Sequence, residues 1–100
     1  ISNLGEEANK RAYALAVTMA ERAVTSAEDT LIEVKKLVDQ AQIGVAKGGA
    51  HIDGFWFDKD VLKRLLESEQ VATERLETER KRLSSLKLES RGLKLVTPTP

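Results

Sequence analysis

Val24, Ala27, Leu31, Val34, Val38, Ala41 and Val45 recur at alternating spacings of three and four, the interval that keeps side chains on one side of an α-helix. A second series, Leu62, Leu65, Glu69, Ala72, Leu76, Glu79, Leu83 and Leu86, keeps the same rhythm further along. The helix breakers fall between them. No proline stands between Gly5 and Pro98, and Gly44, Gly48, Gly49 and Gly54 crowd the middle of the chain. The pattern predicts an all-α chain with helix 1 over about residues 4–47, an aromatic turn over about 48–57 and helix 2 over about 58–91.

Local signals mark the predicted ends. Asn3 and Glu6 have the spacing of a capping box, and Lys47-Gly48-Gly49 offers a cation and a left-handed cap to the end of helix 1. Asp58 reads as the N-cap of helix 2, Asp60 adds negative charge to its first turn, and Phe57 is placed to staple onto Leu62. Gly92 is expected to end helix 2, and Thr97-Pro98-Thr99-Pro100 reads as an extended tail or linker.

Two helices joined by so short a connection pack antiparallel, as a long coiled-coil-like hairpin. Such a pair covers one stripe of each helix and is marginal alone. Helix 1 carries further apolar residues, and Ala8, Ala12, Ala16, Met19, Ala20 and Ala23 are read as a self-association surface. Dimerisation through it would complete a four-helix bundle; the alternative cover is the remainder of a longer parent chain. The first residue is not Met, which is read as a processed form or an excised piece. In helix 2, Glu69 and Glu79 interrupt the apolar seam. Pairing Lys47 with Asp58 puts Glu69 opposite Lys35 or Lys36, and Glu79 near Ser26 and Arg22, as charges that set the register.

Composition narrows the classes of partner. Sixteen basic residues balance sixteen acidic ones, so bulk charge argues for neither a nucleic acid nor a membrane. The absence of cysteine excludes disulfides and thiolate metal sites, and leaves the compartment unknown. The longest apolar run, Ala12 to Val17, is far shorter than the roughly 20 residues of a membrane span, and no signal peptide is visible.

Candidate chemistry is confined to a few places. His51 and Asp53 are two potential metal ligands without a third, serine nucleophiles have only a loop histidine as base, and Gly48-Gly49 lacks the context of a phosphate loop. Glu69 and Glu79 are about 15 Å apart along one helix, too far to share acid–base work. Neither enzymatic activity nor a cofactor is expected. Phe55, Trp56 and Phe57 are a candidate partner contact or a plug over the end of the helix pair. Arg80, Lys81, Arg82, Lys87, Arg91 and Lys94 form a basic end that complements a helix C-terminus or touches phosphates.

Length and hairpin architecture are similar to the secreted bacterial hairpins named for a Trp-x-Gly turn. The order here is Gly54-Phe55-Trp56, so that signature is absent and no residue is carried over. The leading expectation is a structural or oligomerisation hairpin acting through helix packing. A secreted or effector-type hairpin that binds a protein through the Phe-Trp-Phe turn comes second, and a nucleic-acid or anionic-membrane module using the basic end comes third.

Overall fold

The computed structural model describes the backbone of residues 2–96 and the side chains of residues 5–91. The elements are α1 (Ser2–Ala46), β1 (Ala50–Ile52), β2 (Phe55–Phe57) and α2 (Lys59–Val96). Two long helices dominate, as the two stripes require.

Three boundaries differ from expectation. α1 already contains Asn3, which therefore is not its cap. α2 passes through Gly92 and continues to Val96. One glycine costs a helix only about 1 kcal/mol, too little to end it. The third difference is the connection, which is an antiparallel β-hairpin instead of an irregular turn, with Ala50 opposite Phe57, His51 opposite Trp56 and Ile52 opposite Phe55. Asp53 and Gly54 link the strands at φ 52° and 85°, both positive as a two-residue type I′ turn demands. The Thr/Pro tail lies outside the described residues.

The exit from α1 is built by its glycines. The Gly49 N–H donates to the Gly44 carbonyl at 2.8 Å and the Gly48 N–H to the Val45 carbonyl at 2.9 Å. This pair of bonds is a Schellman cap, with Gly48 in its left-handed position at φ 77°.

The contacts divide the chain into two compact units, one comprising Ala27–Leu76 and the other the segments on either side. In the Ala27–Leu76 unit, the two helical segments pack through buried Ala27, Val38 and Ala41 on α1 and Ala72 and Leu76 on α2, with Phe57 buried at the hairpin end. Leu31, Val34, Val45, Leu62 and Leu65 are half-buried along the same seam. Small residues at the centre let the helices approach closely. In the other unit, Ala20 is buried, and Tyr13, Ala16, Val17, Ala23 and Val24 on α1 and Leu83 and Leu86 on α2 are half-buried. Ala12, Tyr13 and Ala16 share a groove there with Leu86 and Glu89. The stripes read from the sequence are thus the seams inside each unit.

Candidate functional site

The β-hairpin sorts its three aromatic residues by the alternation of a strand. Phe57 is 3% exposed and sits on Gly44, where an added Cβ would lie 2.6 Å from the Phe57 Cβ. It is the plug. Trp56 points to the opposite face, where its indole covers Gly49 and its ring centroid lies 5.2 Å from that of His51, at 59°. Phe55, next to the turn, is 67% exposed, and Trp56 keeps 48% of its surface in solvent. Plug and exposed aromatic surface therefore coexist in one hairpin.

Asp58 fastens this hairpin to α2. One carboxylate oxygen accepts the Val61 N–H at 3.0 Å, and the other accepts the Trp56 Nε1–H at 2.9 Å. The N-cap expected from the sequence is present. These two bonds, together with the Asp60 N–H and the Arg64 charge, outweigh partial desolvation and hold the Asp58 carboxyl below its ordinary pKa. At the turn, Asp53 accepts a long 3.4 Å bond from Gln40 on α1.

The six residues read as a self-association surface do not share a face. Ala20 is 4% exposed and Ala16 and Ala23 are half-buried, all turned toward the seam of their own unit. Ala8, Ala12 and Met19 are exposed. A spacing of four advances 400°, so alanines at positions 8, 12, 16 and 20 drift about 40° per step around the helix. Leu15 is 61% exposed and Met19 59%. Ala8, Ala12, Leu15 and Met19 follow the four-three-four spacing that stays on one side.

The expected pairing of Glu69 with Lys35 or Lys36 is not formed. Glu69 is half-buried but has no ion pair with Lys35 or Lys36; both lysines are exposed, and Lys36 pairs instead with Glu33 at 3.7 Å. The reason is direction around the helix: Val34 lines a groove with Ser68, Val71 and Ala72 at about the level of Glu69, while Lys35 and Lys36, next along α1, turn to solvent. Glu79 keeps one carboxylate oxygen, Oε2, buried without a hydrogen-bond partner.

Arg80, Lys81, Arg82, Lys87 and Arg91 are exposed, and Arg80 already has a polar or ionic interaction. Lys94 lies outside the described side chains. Among the described residues no group of three or more His, Asp or Glu side chains could hold a metal ion, and no helix is long and apolar enough to cross a membrane. No protein-family model, curated protein or solved structure matches the chain.

Proposed function

We propose that this chain is a non-enzymatic structural hairpin whose helices work by packing against further helices. The observation that carries this reading is the imbalance of its apolar surface. Among the described residues, alanine supplies Ala20, Ala27, Ala41 and Ala72 of a seven-residue buried core, while Leu15, Met19, Ile32, Ile43, Leu66, Val71 and Leu88 on the helices stay exposed. Scattered exposed apolar residues are ordinary, but a core this small leaves an isolated pair of helices little stabilisation. Additional helices that cover the larger side chains would supply it. Sedimentation equilibrium from micromolar to millimolar protein tests the reading. Reversible assembly with concentration-dependent melting supports it, whereas a monomer whose melting temperature ignores concentration argues against it.

A second reading rests on the hairpin. Phe55 and Trp56 are held in the open by a type I′ turn and by the Asp58 bond to the indole, which is the kind of rigid aromatic display used at binding hot spots. Protection of Trp56 from acrylamide quenching by an added partner protein would favour it.

A further inference from the structure

Asp53 is followed by Gly54, and both are exposed at the end of the β-hairpin. The Asp53 carboxylate accepts a long bond, 3.4 Å, from Gln40, and a Cβ built on Gly54 meets nothing within 4 Å. An aspartate in this setting can react with its own backbone. With the carboxyl group protonated, the Gly54 nitrogen attacks Cγ of Asp53, an N–Cγ bond forms, and the amide hydrogen leaves with the carboxyl hydroxyl as water. A second water then opens the five-membered imide. Addition at Cγ breaks the new bond and restores aspartate. Addition at the main-chain carbonyl carbon breaks the original peptide bond, so that the chain runs through Cβ and Cγ and the former carbonyl becomes a free carboxylate. One water leaves and one enters, and nothing is oxidised or reduced. Glycine favours the attack because no side chain shields its nitrogen.

The turn sets the rate of this chemistry. Ring closure requires the Gly54 nitrogen to eclipse Cβ of Asp53. Asp53 lies at φ 52°, and in a type I′ turn its ψ is about +30°, which turns that nitrogen away from Cβ. Rotating it into place with the strands still paired would make the turn type II′, which wants glycine at the position Asp53 occupies. The reaction therefore runs through the open hairpin. A hairpin of two short strands is marginal by itself; Phe57 seated on Gly44 and the Asp58 bond to Trp56 keep this one closed.

We propose that Asp53-Gly54 is a site of spontaneous isomerisation to isoaspartate, and that the seating of Phe57 on Gly44 governs its rate. The product cannot rebuild the same turn. One extra main-chain carbon between Ile52 and Phe55 removes the register that sets Ala50 opposite Phe57, so each event leaves the hairpin unfastened.

The full chain is incubated in heavy-oxygen water, where every ring opening leaves one heavy oxygen in the product, and is then digested with trypsin. Lys47 and Lys59 bound a peptide of residues 48–59 that carries Asp53 and Asp58 together, so Asp58, with its bulkier neighbour Lys59, is an internal control. Label is expected at Asp53 and not at Asp58, with an isoaspartate form of the peptide resolved by reversed-phase chromatography. Unfolding the chain in guanidinium is expected to raise the rate about tenfold or more. Gly44→Ala is expected to raise it about 5–30-fold in native buffer and to leave it unchanged in guanidinium. Label at Asp53 no greater than at Asp58 in guanidinium would overturn the site. A native chain that labels as fast as the unfolded one, or a Gly44→Ala chain that melts lower yet labels no faster, would overturn control by the hairpin. The isolated isoaspartate chain is expected to melt below the unmodified one, and equal melting would overturn the loss of register.

Discussion

Replacing Gly44 by alanine sets two effects of opposite sign against each other. Gly44 lies in the last turn of α1 at a helical φ, and a glycine in a helix ordinarily gains about 0.5–1 kcal/mol on becoming alanine. Here the new methyl would stand 2.6 Å from the Phe57 Cβ and 2.8 Å from the Phe57 carbonyl oxygen. Carbon atoms in contact prefer about 3.5–4.0 Å, so the hairpin must retreat by about 1 Å. Neither colliding atom can be swung aside by a side-chain rotation. Overpacking of this kind costs about 1–3 kcal/mol, and levering Phe57 out of its buried site would forfeit a further share of the roughly 1.5–3 kcal/mol its burial contributes. The net expectation is a loss of about 1–3 kcal/mol, or roughly 5–20 °C in melting temperature for a chain of this size. Gly5→Ala is the control, because a Cβ there meets nothing within 4 Å and only the propensity gain remains. Urea titrations followed by circular dichroism at 222 nm, at one fixed protein concentration, give both values. If Gly44→Ala stabilises the protein as Gly5→Ala does, the close seating of Phe57 on α1 is wrong.

Three further substitutions probe the hairpin and the seam. Because the folded pKa of Asp58 is lowered, its contribution is present above the unfolded carboxylate pKa and is lost as pH falls through the folded value; Asp58→Asn should therefore flatten the stability profile below about pH 4, and an unchanged acid limb would contradict the cap. Gly49→Ala combines φ 105° with a Cβ 2.7 Å from the Trp56 ring, so the indole should be displaced, with a red-shifted emission spectrum and a lower melting temperature; an unaltered spectrum would refute the stacking. Glu79→Leu removes a buried oxygen without a partner and should stabilise by about 1 kcal/mol in thermal melts, whereas destabilisation would show that the carboxylate has a role in the seam.

The seams were legible because each runs for many turns: Val24 to Val45 and Leu62 to Leu86 repeat the three-four spacing often enough to define a face, and those residues are buried or half-buried. The Asp58 cap and the glycines after Lys47 were legible for another reason, since capping depends on one or two residues and little on tertiary context. The β-hairpin was missed because strands of three residues show no periodicity. Its available signal was the Asp53-Gly54 pair between Ile52 and Phe55, a dipeptide suited to positive φ at both positions. Glu69 was given the wrong partners because height along the helix was counted and direction around it was not: Lys35 and Lys36 are exposed on α1 while Glu69 is half-buried at the seam. Ala16 and Ala20 were misplaced for a geometric reason, as a constant step of four from Ala8 winds around the helix while alternating three and four does not.

The cap, the type I′ turn and the Phe57 plug together have a kinetic consequence. Closing a chain costs entropy that grows with the number of residues enclosed, and the hairpin encloses very few. Once its strands pair, in about 1–10 μs, the end of α1 and the start of α2 are already neighbours, and each later layer encloses only a few more residues than the last. Assembly should therefore proceed as a zipper from Gly44 and Phe57 through the Ala27–Leu76 unit, with the segments outside it joining afterwards. Pulsed hydrogen exchange during refolding would show this as early protection of amides around Val38–Val45 and Leu62–Leu65, and late protection around Tyr13 and Leu86. The opposite order would mean that the hairpin follows helix association. In the native protein the same asymmetry would make the segments outside the Ala27–Leu76 unit the first to open.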